Sequence, residues 1–165
     1  VTRKVLVLDT SFLVELYALP EKAKAHRVPH AQAWFTQART ARHGLQVPFA
    51  CVLEFGNTIA QIKEPGSRTT CAARLALDFE AAVMRGHQAM WVATDAPQFE
   101  SATELVKFWS TQHAPIGRSL VDAAIVRAAV RRKEADSAAQ VHIWTYDKKL
   151  KEMEPDTEPA PFPMD

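Results

Sequence analysis

At 165 residues and 47% hydrophobic content the chain has enough material for one compact domain with a buried core. Its 20 Lys plus Arg against 19 Asp plus Glu give a formal net charge of +1, which excludes a global basic field for gathering polyanions, so any nucleic-acid binding has to be local. Cys51 and Cys71 alone make neither a disulfide framework nor a four-ligand zinc site, no apolar run approaches the ~20 residues that span a bilayer, and the first residues lack the zones of a signal peptide. A soluble protein of the reducing cytoplasm, with no membrane partner, is expected.

In chain order, Lys4 to Leu8 form a short apolar run ending at Asp9, the pattern of a parallel-sheet strand buried on both faces. Thr10 and Ser11 can cap a following helix whose apolar stripe is Phe12, Leu13, Leu16 and Tyr17, before Pro20. A second helix is expected from about Ala31 to Arg42, closed by Gly44, then a minimal strand at Val47 to Phe49. Cys51 to Lys63 reads as helix with Pro65-Gly66 as its stop, and alanine-rich Thr69 to Arg85 as another, ended by Gly86. Ala89 to Ala93 is strand-like, Pro97 to Gln112 helical, and Ser119 opens a long helix to about Glu134. Val141 to Thr145 is the last strand, and Asp147 opens a short terminal helix. Alternating strands and helices imply an α/β fold: a parallel sheet with right-handed crossovers and helices on both faces. Residues 152–165 hold five acids and four prolines, which predicts a loose acidic tail.

Four acids fall where such a fold binds ligands, beyond the carboxyl ends of the strands. Each has a structural explanation as well. Asp9 and Asp147 can cap the helices that follow them. Asp122 shares a helix face with Ile125, Val126 and Ala129, opposite Arg127 and Arg131, so it points inward; it also completes a capping box with Ser119. Glu54 is flanked by small residues that leave room for a ligand, and solvent exposure explains it equally well. A hard cation such as Mg²⁺ takes oxygen ligands and keeps positions open for phosphate oxygens, which would explain several carboxylates together. The six histidines show no zinc-ligand spacing, because Pro29 separates His26 from His30. The basic clusters Arg127, Arg131, Arg132, Lys133 and Lys148, Lys149, Lys151 read as solvated helix faces.

Asp9-Thr10-Ser11-Phe12-Leu13 after a strand, Glu54 on a helix after Val47-Pro48, Ser119-Leu120-Val121-Asp122-Ala123 at a helix start, and Thr145-Tyr146-Asp147 with Leu150 resemble, in order and context, the four acidic motifs of PIN-domain ribonucleases. The resemblance runs from Lys4 to about Leu150. It implies a PIN-like parallel sheet of about four or five strands, with residues 1–151 as the nuclease domain and 152–165 as an acidic Pro-rich tail. By the same resemblance Asp9, Glu54, Asp122 and Asp147 bind Mg²⁺ or Mn²⁺ and are catalytic, while Ser11 and Thr145 orient them through their hydroxyls. The small size resembles the VapC-type toxin half of a bacterial toxin-antitoxin pair, which implies an RNA substrate, an antitoxin partner and a homodimer. The alanine-rich segment and the acidic tail depart from the shortest toxins.

The expected activity is endoribonucleolytic hydrolysis of phosphodiesters by metal-activated water, with Arg118 and Lys148 as candidate phosphate contacts. The alternatives are a PIN-domain RNA-processing or decay nuclease that is not a toxin and, more distantly, an acidic-pocket phosphoacceptor or binding module. The phosphoacceptor pattern wants an adjacent acid pair after the first strand, and here Thr10 follows Asp9. Crowded acids without metal should repel one another, so Asp122→Asn is expected to stabilise the metal-free chain.

Overall fold

The structure, a computed structural model, describes residues 4–84, 89–94, 108–113 and 119–158. Four parallel strands form one sheet: β1 (Lys4–Leu8), β2 (Gly44–Pro48), β3 (Val92–Thr94) and β4 (Gln140–Trp144), in the order β3-β2-β1-β4. β1 is interior, with Val7 opposite both Gln46 and Ile143. Side chains alternate between faces along a strand, yet Val5, Leu6, Val7 and Leu8 are all buried in sequence, as are Val141 to Trp144. The sheet is therefore covered on both sides, which is why these runs read as continuous rather than alternating apolar patterns.

The helices are α1 (Thr10–Leu16), α2 (Val28–Thr40), α3 (Phe49–Ala60), α4 (Pro65–Met84), α5 (Leu120–Ala135) and α6 (Lys148–Lys151). The core gathers Phe12 and Leu13 of α1, Phe55 and Ile59 of α3, and Ile125 and Ala129 of α5 around β1 and β4. α5 lies against β4, β1 and β2 and also touches α3. The α/β architecture with four parallel strands is as the sequence led us to expect. Among the described residues no helix is long and apolar enough to cross a membrane.

Several boundaries differ for physical reasons. α2 starts three residues early because Pro29 sits in its first turn, where its missing N–H is no loss and its fixed φ suits a helix. His26 stays outside it, and its carbonyl lies 3.0 Å from His30 Nδ1. Gly44 does not close α2. Arg42 takes the left-handed conformation instead, at φ 56°, which frees Gly44 to begin β2 opposite Val5. Pro65-Gly66 opens α4 rather than stopping α3, with the Glu64 carboxylate accepting the N–H groups of Gly66 and Ser67. The strand expected at Ala89 to Ala93 is β3, shifted to Val92–Thr94. Most of the helix expected at Pro97 to Gln112 lies outside the described residues, and within them Trp109–His113 forms a π-helical turn.

The tail reading needs correction for residues 152–158, which dock onto β4 instead of hanging loose. An edge strand exposes unpaired N–H groups. Here the carboxylate of Asp156 accepts Val141 N–H at 2.8 Å and that of Glu154 accepts Ile143 N–H at 3.0 Å. Lys133 reaches Asp156 at 2.8 Å, Lys151 reaches Glu154 at 2.7 Å, and Lys4 pairs with Glu158. The acids that argued against a packed segment are what bind it to the sheet edge.

This docking predicts acid sensitivity. Burial pushes the Glu154 carboxyl up, but His142, Lys151 and the N–H groups of Glu158 and Ile143 outweigh it and hold it below its ordinary 4.5. Lys133 and Val141 N–H hold Asp156 below its ordinary 3.8. A depressed carboxylate contributes stability that is complete above its unfolded pKa and is lost as pH falls through the folded one. The melting temperature should therefore drop between about pH 5 and pH 3, and less steeply in Glu154→Gln than in the wild type. Parallel curves for the two proteins would show that the docked segment does not carry the effect.

Candidate active site

All four strands run the same way, so the carboxyl ends of β1, β2 and β4 share one edge of the sheet. The connection from β1 leads to β2 on one side, while β4 lies on the other. β1 and β4 thus flank a topological switch point, where open α/β sheets form their ligand crevice. Asp9 follows β1 at this point and Thr145 follows β4.

The Asp9 side chain is held from several directions. One oxygen, Oδ1, accepts Thr10 N–H at 2.6 Å. The other, Oδ2, accepts the hydroxyls of Ser11 at 2.6 Å and Thr145 at 2.8 Å, and Ser11 N–H at 3.3 Å. Asp9 is itself the cap of α1, one of the three capping candidates that the sequence offered with Thr10 and Ser11. The same two hydroxyls fix the next loop, since Ser11 Oγ accepts Tyr146 N–H at 3.1 Å and Thr145 Oγ1 accepts Asp147 N–H at 3.0 Å. Desolvation drives the Asp9 carboxyl above its ordinary 3.8; the Ser11, Thr145 and Thr10 hydrogen bonds oppose this, and the charge of Glu54 adds to it.

Glu54, exposed on α3, reaches this centre through Thr10, whose hydroxyl donates to Glu54 Oε2. Thr10 is the residue that sequence reasoning missed. Its hydroxyl was read as a cap, and nothing local reveals that it bridges to a helix more than forty residues away. Cys51 was also passed over. It is buried beside the same group, and burial first, then the charge of Asp9, holds its thiol well above its ordinary range.

Asp122 lies at the start of α5, which runs down to feed the amino end of β4, so that helix start faces the same carboxyl edge of the sheet. Ile125, Val126 and Ala129 on its face are buried and Arg131 is exposed, as the helical stripe requires. Yet the half-buried Asp122 carboxylate completes the capping box: Oδ2 accepts Ser119 N–H at 3.1 Å while Ser119 Oγ accepts Asp122 N–H at 3.0 Å. Asp122→Asn keeps an acceptor for Ser119 N–H but loses the negative charge at the helix start, a cost that opposes the relief of repulsion expected in the metal-free chain. Asp147 is exposed and caps α6, accepting Lys149 N–H at 2.8 Å and Leu150 N–H at 3.2 Å.

The structure therefore joins Asp9 to Glu54 through Thr10, and Asp9 to the backbone of Asp147 through Thr145. Asp122 shares the sheet edge but is engaged with Ser119. Among the described residues no group of three or more His, Cys, Asp or Glu side chains is gathered closely enough to hold one metal ion. Of the candidate phosphate contacts, Lys148 is exposed on α6 and Arg118 lies outside the described residues. Arg27 stacks over the Tyr146 ring at 4.3 Å, adding a cation beside the loop that carries Asp147. No protein-family model matches the chain, and no curated protein matches it in sequence.

Proposed function

We propose that the chain is a metal-dependent endoribonuclease of the PIN type, acting as the toxin of a toxin-antitoxin pair. The observation that carries this reading is the Asp9 carboxylate: buried, uphill to ionise, set at the switch point of a parallel sheet and oriented by two hydroxyls, with Glu54 beside it. A structural cap has no need of a second acid nearby, whereas a cation shared with Glu54 offsets the cost of ionising the buried Asp9.

The donor set suits a hard divalent ion, since every candidate ligand is a carboxylate oxygen. Asp9 and Glu54 would hold Mg²⁺ or Mn²⁺ first. Asp122 keeps Oδ1 outside its capping bond and could turn towards the same edge, and Asp147 could do so from its own cap. Bound there, the ion would supply Lewis-acid polarisation of the phosphate and activation of water. Ser11 and Thr145 keep Asp9 fixed while the other carboxylates rearrange, and Arg27, over the Tyr146 ring, and exposed Lys148, next to Asp147, are cations available to an RNA backbone. The antitoxin and a second copy of the chain belong to the same reading. For the second copy, Leu53 on α3 and Leu77, Val83 and Met84 on α4 offer exposed apolar surface to cover.

Purified protein incubated with single-stranded RNA and Mn²⁺ is expected to give cuts that EDTA abolishes. Asp122→Asn should slow cutting strongly while lowering stability by no more than about 1 kcal/mol, the scale of a helix-terminus charge. Cutting that persists in EDTA, or that Asp122→Asn leaves at the wild-type rate, would overturn the shared-cation reading.

A further inference from the structure

The sheet has a second end. At the amino edge, Val5, Gly44, Gln46 and Val92 share one face and form the floor of a groove of about 760 Å³. It is distinct from the Asp9 centre, since Val5 precedes Asp9 by four residues, roughly 13 Å along a strand.

Three guanidinium groups line this groove, and among the described residues no carboxylate does. Arg39 comes from the last turn of α2, Arg42 from the left-handed residue that follows it, and Arg132 from α5. Arg39 and Arg42 are exposed and form no ion pair among the described residues. Arg132 spends one nitrogen on Asp136 at 3.4 Å, but its Nε is buried without a hydrogen-bond partner. His43 Nδ1, also on the lining, is buried and unpartnered too. Three guanidinium groups along one groove, two of them exposed and without an ion pair among the described residues, suit an anion with acceptor oxygens.

Guanidinium forks match phosphate oxygens in a bidentate geometry, and the volume falls in the range of small-molecule sites, roughly 300–1,000 Å³. Apart from Gln46 the remaining lining is apolar and includes Val5, Met90 and Val92. We infer that this groove is a second site, which binds a phosphate ester of nucleotide size. Arg39, Arg42 and Arg132 hold the phosphate, His43 and Gln46 meet polar edges, and the apolar floor receives the organic part. The ester can come from a free nucleotide or from the end of a nucleic-acid strand.

Calorimetric titration of the full chain in EDTA, with adenosine diphosphate, inorganic pyrophosphate and a 5′-phosphorylated tetranucleotide, tests this without reference to metal or RNA cutting. Saturable binding of an ester is expected, weakened roughly tenfold or more in the Arg39→Ala/Arg42→Ala double variant and in Arg132→Ala, as for lost hydrogen bonds to charged groups. The double variant changes exposed residues, and unchanged circular dichroism checks that it folds. Tighter diphosphate binding assigns the free nucleotide, and tighter tetranucleotide binding assigns the strand end. Pyrophosphate binding as tightly as either ester overturns the role of the apolar floor. Absence of saturable binding, or equal affinity in the double variant, overturns the site.

Discussion

If the proposed nuclease activity holds, Asp9→Asn is expected to reduce RNA cleavage by more than about 100-fold, beyond the roughly 10–100-fold cost typical of losing a partner that only orients a metal ligand. Thr145→Val, which removes one orienting hydroxyl while leaving the carboxylate, should fall inside that lower range. The two variants separate holding a cation from positioning the residue that holds it. The same carboxylate gives a stability signature of definite sign. Its folded pKa is raised, so between the ordinary 3.8 and the raised value the native state binds more protons than the unfolded one, and stability falls as pH rises through that window. This is opposite in direction to the Glu154 and Asp156 contribution. In EDTA the wild type should show this loss and Asp9→Asn should not. Saturating Mn²⁺ should restore stability to the wild type, by about 2.7 kcal/mol at a hundredfold excess over Kd, and leave Asp9→Asn nearly unmoved. Equal cleavage by the two proteins, or equal Mn²⁺-induced shifts in melting temperature, would remove Asp9 from the cation site.

What was legible in the sequence is what local chemistry decides. β1 and β4 stand out because strands buried on both faces must be apolar at consecutive positions, and α5 because Ser119 and Asp122 announce its start. Asp9 could be placed at a strand end for the same reason. Features set by tertiary contact were not legible. The bridge from Thr10 to Glu54 depends on how α1 meets α3, and the docking of Glu154 and Asp156 depends on β4 being an edge strand. Arg132 was read with its neighbours as part of a solvated helix face, yet it lines a groove with Arg39 and Arg42 once α5 lies across the sheet. For Asp122 and Asp147 the sequence allowed both a functional and a capping role, and the structure shows the caps.

Trp91→Ala should cost about 3–5 kcal/mol, the usual range for truncating a large buried aromatic, out of a total stability of roughly 5–15 kcal/mol. Its position explains the size of the effect. Trp91 is 2% exposed at the entrance to β3, and its ring stands 6.5 Å from that of Phe79 on α4. Its indole N–H donates to Tyr17 Oη at 3.3 Å, and the Tyr17 hydroxyl donates to Asp78 Oδ2 at 2.6 Å. Burial first, and then Asp78, keep the Tyr17 phenol well above its ordinary range, so it remains the donor at any working pH. Arg74 caps the same ring at 4.4 Å. This chain of contacts matters because α4 has little else to hold it: Ala82 is its one fully buried residue among those described, with Cys71, Leu75 and Phe79 half-buried against the core. Removing the indole opens a cavity under α4 and takes the sheet-side partner from Tyr17 at once. Trp91→Phe keeps most of the apolar volume and loses the N–H, so it should cost under about 1.5 kcal/mol. Urea unfolding followed by circular dichroism measures both. A Trp91→Ala loss of less than about 1 kcal/mol would mean that α4 is anchored through contacts other than the Trp91, Tyr17 and Asp78 relay.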